Sequence, residues 1–240
     1  MKSLVAVIAF HLLTKVFMVM VFAAIKKKAQ FVGNGVININ TDNMVIEGKQ
    51  VKEWVERAYS NAVKHGWHEE KKPTAHWVMM ISTEVTEAVQ ADRKGRWMNE
   101  LDKSELDCVI ANDNHGGLFE KFYSEHIEGT VESELADICI RLFDLMGLKN
   151  VKCRTEYTTD EENVKLCETR DFTVNAFFIS RCILNFSTPN NSLLCGAYFN
   201  EIIVATFEWA ESLGIDLVQH INLKMRYNET REYHHGGKKY

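Results

Sequence analysis

Hydrophobic residues return every three or four positions along most of this chain, the spacing of one face of an α-helix. Val51, Trp54, Val55, Ala58 and Ala62 share one side of a helix expected from about Gly48 to His65, with Gly66 ending it. Pro73-Thr74 restarts the chain, and Ala75 to Arg93 forms a second helix stopped at Gly95. Residues 98–117 are polar, contain the cluster NDNHGG, and read as a loop. Helical spacing resumes near Leu118 and runs to Met146, with a break near Gly129 and a stop at Gly147. Residues 150–170 read as another loop. Three further helices follow, at Phe172–Phe186, Tyr198–Leu213 and about Ile215–Glu229, before a basic tail, HHGGKKY. The pattern predicts an all-α fold, a helical bundle of five or six helices.

The first 43 residues break this pattern. Leu4 to Ile25 is a mainly apolar stretch of 22 residues, long enough to span a bilayer. Thirteen are Leu, Ile, Val or Phe, each favouring insertion by about 0.3–0.6 kcal/mol against a cost of about 2.5–3.5 kcal/mol for Lys15. As a membrane anchor, residues 4–25 would leave Lys26, Lys27 and Lys28 and the rest of the chain in the cytosol. The competing reading takes residues 1–43 as a dispensable extension or a signal, with the working helical domain at 44–240 and an inserted helix around 172–187. FVGNGVININTDNM reads as a linker with one short strand at Val36–Ile39.

Composition narrows the class. Of 240 residues, 46% are hydrophobic and 25% charged, enough to bury a core. Two prolines and 13 glycines favour long helices. A net charge of −5 argues against duplex nucleic acid as a partner. Six cysteines without a C-x-x-C pair read as free thiols in a reducing compartment.

The candidate chemistry lies in carboxylate pairs. E-x-x-[ED] occurs at 53/56, 84/87, 125/128, 134/137, 168/171, 208/211 and 229/232, and such pairs are usually solvated helix faces. Glu53/Glu56 and Glu208/Glu211 point away from their helices' apolar sides and read as surface pairs. Glu84 and Glu87 instead fall between Trp77, Ile81 and Ala88 on one side and Met80 and Ala91 on the other. Glu134 and Asp137 lie close to Val131, Ile138 and Leu145. Carboxylates in an apolar stripe need compensating positive charge, and those two helices offer no four basic partners. A hard divalent cation does so directly. Mg²⁺, with Mn²⁺ as the alternative ion, takes oxygen ligands and is normally shared with substrate phosphates. Two helices facing each other would bring all four carboxylates to one point. Di-iron bundles need E-x-x-H on two helices, which this chain lacks. His65 and His68 lack zinc-site spacing and read as polar surface. There is no P-loop, GxGxxG or GxSxG motif.

ISTEVTEAVQADRKG and ESELADICIRLFDLMG resemble the paired E-x-x-E and E-x-x-D motifs of the MazG-like, all-α nucleoside triphosphate pyrophosphohydrolases. NAVKHGWHEE is similar to the Gly-aromatic turn before the first motif, and LGIDLVQHINLKMRYNETREYHHGGKKY to the family's final helix and tail. Four short motifs in this order cover roughly residues 49–148 and 199–240. The resemblance implies cleavage of a nucleoside triphosphate to monophosphate and pyrophosphate, with Mg²⁺ on Glu84, Glu87, Glu134 and Asp137, in a homo-oligomer. It makes Glu84 and Glu87 candidates for orienting or deprotonating the attacking water. It also places Lys224, Asn228 and Arg231 on a substrate-contacting helix, where a solvated basic stripe is the plainer reading. Trp54, Trp67 and Trp77 could stack on a base or simply pack the core, and Arg93 and Lys94 could serve as counter-charges to a helix dipole. The 46 residues between the two motifs, the extra helix after residue 150 and the apolar N-terminus depart from compact family members. The other readings are a non-catalytic helical interaction module on a membrane tether and a phosphohydrolase acting on a phosphoribosyl compound.

Overall fold

A computed structural model describes residues 37–40, 43–113, 117–158, 171–185 and 195–237. The apolar run at 4–25 lies outside the described residues. Among those described, no helix is long and apolar enough to cross a membrane.

The chain is mostly helical. Two short strands, β1 (Ile37–Asn40) and β2 (Asn43–Glu47), lead into α1 (Gly48–Lys64). Next come α2 (Thr74–Arg93), α3 (Glu100–Asn112), α4 (Leu118–Phe122) with a π-helical turn at Tyr123–Ile127, and α5 (Val131–Leu148). β3 (Glu156–Thr158), α6 (Phe172–Asn185), α7 (Cys195–Ser212) and α8 (Leu217–Thr230) follow, with a last short turn at His234–Gly237.

Helix α5 is the axis of the bundle, packing against α1, α2, α7 and α8. Its sequence explains this position: Val131, Leu135, Ile138, Cys139, Leu142, Phe143, Leu145 and Met146 are all buried, so little of its circumference is left for water. Thr130 caps it, its hydroxyl accepting from the Ser133 amide at 3.3 Å. α1 approaches α5 closely at Gly147, where an added Cβ would lie 2.4 Å from Cβ of Tyr59. Trp54, buried on α1, stacks on Phe143 of α5 at 5.5 Å, and its Nε1 donates to Asn222 of α8 at 3.1 Å. Trp54 is thus a core residue, not a base-stacking one.

Two expectations need correcting. Residues 98–117, read as a loop, contain α3 and lead into α4. A capping box formed by Asn99 and Asp102 starts α3, and its few apolar residues are used: Leu106 and Val109 join Met98, Phe119, Phe122, Tyr123, Ile127 and Leu223 in a second buried cluster. The break near Gly129 is real, lying between the π-helical turn and the α5 cap. The second correction concerns the start of the domain. The strand expected at Val36–Ile39 lies at Ile37–Asn40 and pairs antiparallel with β2, which pairs in turn with β3. Ile46, fully buried, faces Ile37 on one side and Tyr157 on the other. The compact unit therefore begins at Ile37, ahead of the expected boundary at Met44, because β1 is tied to it by strand pairing.

Candidate metal and ligand site

The pairing of α2 with α5 brings the two carboxylate motifs together. On α2, the buried stripe Trp77, Val78, Ile81, Val85, Ala88 and Ala91 includes Glu84, itself buried. Glu87, one turn on, is exposed. On α5, Glu134 is buried and Asp137 half-buried. Ligand oxygens of Glu84, Glu87 and Glu134 lie within 4.8 Å of one another. The fourth expected ligand does not join this group: the Asp137 carboxylate is paired with Lys224, Oδ2 to Nζ 2.7 Å.

The surrounding charges explain the protonation of the cluster. Burial, then repulsion from Asp137 and Glu87, pushes the Glu84 carboxyl up to about 7 against the opposing pull of Arg141. Burial is also the main cause for Glu134, pushed up to about 8, with Asp137, Glu84 and Glu87 adding to the rise and Lys224 opposing it. Lys224, buried on α8, is held in its charged form by Asp137 despite desolvation. Its ammonium also donates to Ser133 Oγ at 3.2 Å, and that hydroxyl meets Tyr123 OH at 3.2 Å.

Two features of this network were missed in the sequence. The first is Arg141, whose Nε donates to Glu84 Oε1. It lies on α5 itself, four residues after Asp137 and seven after Glu134, so one basic partner is supplied by a motif helix after all. That spacing was the available signal. The second is the role of Lys224, expected on a substrate-contacting helix but in fact the counter-ion of Asp137. The two residues are distant in sequence, so only the packing of α8 on α5 shows the contact.

The cluster forms part of the wall of a pocket of about 570 Å³. All the expected site residues line it: Glu84, Glu87, Glu134, Asp137, Lys224, Asn228, Arg231 and Trp67. Trp77 does so as well. Asn228 is buried and its Oδ1 has no hydrogen-bond partner among the described residues; the same holds for Trp77 Nε1. Arg231 pairs with Glu128 at 3.4 Å, and Tyr227 OH donates to the same carboxylate at 3.0 Å. Trp67 is half-buried and stacks on His234 at 4.9 Å.

The histidines expected on the surface are structural. His65 is buried, with Nδ1 2.8 Å from the Asn61 carbonyl and Nε2 2.9 Å from that of Arg231. It fastens the C-terminal tail to the end of α1. Gly66 follows with φ +81°, and a Cβ there would strike the Tyr233 ring at 2.4 Å. His68 pairs with Asp144 at 2.7 Å. Arg93 and Lys94 are exposed at the end of α2 and take no part in the pocket. Of the carboxylate pairs read as surface, Glu53 and Glu56 are exposed, as is Glu211, while Glu208 is half-buried and its carboxyl is pushed up to about 7 by burial and by Glu211.

The donor set suits a hard cation. Three clustered carboxylates offer only oxygen, and burial and mutual repulsion raise the carboxyls of Glu84 and Glu134. Eight carboxylates line the pocket against four lysines and arginines, leaving an excess of negative charge that a divalent ion would offset. No family model, no curated protein and no solved structure matches the chain.

Proposed function

We propose that the chain is a Mg²⁺-dependent nucleotide pyrophosphohydrolase, cleaving a nucleoside triphosphate to monophosphate and pyrophosphate as its resemblance to the MazG-like enzymes implies. The observation that carries this reading is the meeting of Glu84, Glu87 and Glu134 within 4.8 Å on the wall of a pocket large enough for a nucleotide. These residues would hold the ion, which when bound offsets phosphate charge and favours ionisation of water. The chain's own groups supply the rest. A water oxygen forms a bond to one of the two phosphorus atoms flanking the bridging oxygen, and that phosphorus gives up its bond to the bridge. The proton lost by water passes to a carboxylate of the Glu84/Glu87 pair. Asn228 Oδ1 and Trp77 Nε1 offer an unspent acceptor and donor for orienting the nucleoside, and Trp67 offers an aromatic face. Lys224 acts by holding Asp137 in place. The test is pyrophosphate release from a panel of nucleoside triphosphates with Mg²⁺, with products identified by mass. No release from any of them, at millimolar nucleotide, would remove the proposal.

A non-catalytic helical module is favoured by one observation. Two of the four motif carboxylates already have protein counter-ions, Glu84 with Arg141 and Asp137 with Lys224, as a purely structural polar core would require. That reading predicts no stabilisation by Mg²⁺.

A further inference from the structure

Four lysines and arginines line the pocket, and they differ in what their donors already hold. The Lys224 ammonium is on Asp137 at 2.7 Å and Ser133 at 3.2 Å. Arg231 faces Glu128 at 3.4 Å, and Lys72 is paired with Glu70. Arg141, its side chain 40% exposed, uses a single nitrogen, Nε, in its hydrogen bond to Glu84. Its two terminal nitrogens make no hydrogen bond among the described residues. Four of its five N–H donors are therefore unspent.

We infer that Arg141 is the pocket's oxyanion-binding residue, its two Nη groups gripping a phosphate of a polyphosphate chain whose neighbouring phosphate meets the cation at Glu84, Glu87 and Glu134. The assignment of that cation rests on the functional reading above. Arg141 lies on the helical face that carries Glu134 and Asp137, because residues four and seven apart on a helix project the same way. Its contact with Glu84 does two things. It fixes the plane of the guanidinium through Nε, so the Nη pair is preorganised as a fork. It also places that fork beside a cation ligand, so an anion can touch the ion and the guanidinium at once. A monophosphate has one phosphoryl group to share between them, whereas a di- or triphosphate has adjacent groups for both. The chemical class selected is therefore an extended phosphate chain.

The competing explanation is that Arg141 only neutralises Glu84. The two differ in how Mg²⁺ and the anion respond when the guanidinium is removed. The experiment is calorimetric titration of the full chain with Mg²⁺ alone, and then with inorganic tripolyphosphate in saturating Mg²⁺, for the parent, Arg141→Gln and Arg141→Lys. Arg141→Gln should weaken tripolyphosphate binding at least about tenfold, as expected for loss of a bidentate charge-assisted contact. Mg²⁺ alone should bind as tightly as to the parent or more tightly, since a cation beside Glu84 has been deleted. Arg141→Lys keeps the charge without the fork and should recover only part of the anion affinity. Unchanged tripolyphosphate binding in Arg141→Gln would overturn the inference, as would full recovery in Arg141→Lys, parallel loss of Mg²⁺ and anion, or a parent that binds no tripolyphosphate. Pyrophosphate release separates this result from the fate of the hydrolase reading. Arg141-dependent tripolyphosphate binding without turnover keeps the inference and removes the enzyme, and nucleotide turnover with an unchanged KM in Arg141→Gln does the reverse.

Discussion

Neutralising Glu134 should make the metal-free protein more stable at high pH and less responsive to Mg²⁺. The folded protein holds a proton on Glu134 up to about pH 8, whereas an unburied glutamate loses it near 4.5. Between these values the folded state binds more protons than the unfolded chain, so stability falls as pH rises. The contribution is fully present below pH 4.5 and lost as pH passes through about 8. At about 1.4 kcal/mol per unit, complete ionisation corresponds to about 5 kcal/mol. A glutamine of the same shape cannot ionise, but burying its amide costs about 1–3 kcal/mol. Glu134→Gln should therefore exceed the parent by about 2–4 kcal/mol above about pH 9 without metal, and fall below it by up to about 2 kcal/mol near pH 5. Glu84, raised to about 7, gives both proteins a residual slope of the same sign. Mg²⁺ should narrow this gap. At a free concentration one hundred times its Kd it stabilises the parent by about 2.7 kcal/mol, and the variant by less because a ligand oxygen has lost its charge. Urea unfolding followed by circular dichroism, at about pH 5, 7 and 9 with and without Mg²⁺, measures all of this. Parallel stability curves for the two proteins, or equal Mg²⁺ stabilisation, would refute both the burial argument and the metal assignment.

The exposed Glu87 is the contrasting case: Glu87→Gln should change metal-free stability by less than about 0.5 kcal/mol while still weakening Mg²⁺ binding and lowering turnover by orders of magnitude. Lys224→Met should cost about 3–5 kcal/mol in urea unfolding by leaving Asp137 uncompensated, and adding Asp137→Asn should recover most of it; a loss of nucleotide affinity with stability intact would restore the simpler role first expected of Lys224. Gly147→Ala should lower the melting temperature through an overpacking cost of about 1–3 kcal/mol, because the new methyl meets Tyr59 Cβ at 2.4 Å, and an unchanged melting temperature would show that α1 and α5 can separate. A chain starting at Ile37 should keep its β2 amides protected from hydrogen exchange, whereas one starting at Met44 should lose protection only at the β2 amides that face β1, keep it at those paired with β3, and keep the pocket, which no residue of β1 or β2 lines.

Much of the architecture was written in local pattern. The helices α1, α2, α5, α6, α7 and α8 lie within a few residues of where apolar spacing and glycine stops placed them, because each buries a continuous stripe. Glu84 and Glu134 were legible for the same reason: a charge inside a buried stripe is costly enough to need an explanation, whereas the exposed Glu87 was found only through its spacing from Glu84. Where the missed elements lay, local pattern was weak or the partner distant. Helix α3 carries few apolar residues and owes its burial to Phe119, Phe122 and Leu223, which lie outside it. Strands β2 and β3 are too short to announce themselves and exist by pairing with each other and, for β2, with β1. The pairing of charges was decided wholly by tertiary packing. Arg141 looks like any arginine on a helix until α2 sets Glu84 against it, and Lys224 becomes the counter-ion of Asp137 only when α8 lies on α5. Spacing along a helix fixes which side chains share a face. Which charge lies opposite depends on how the helices dock, and there Coulomb energy acts between residues far apart in the chain.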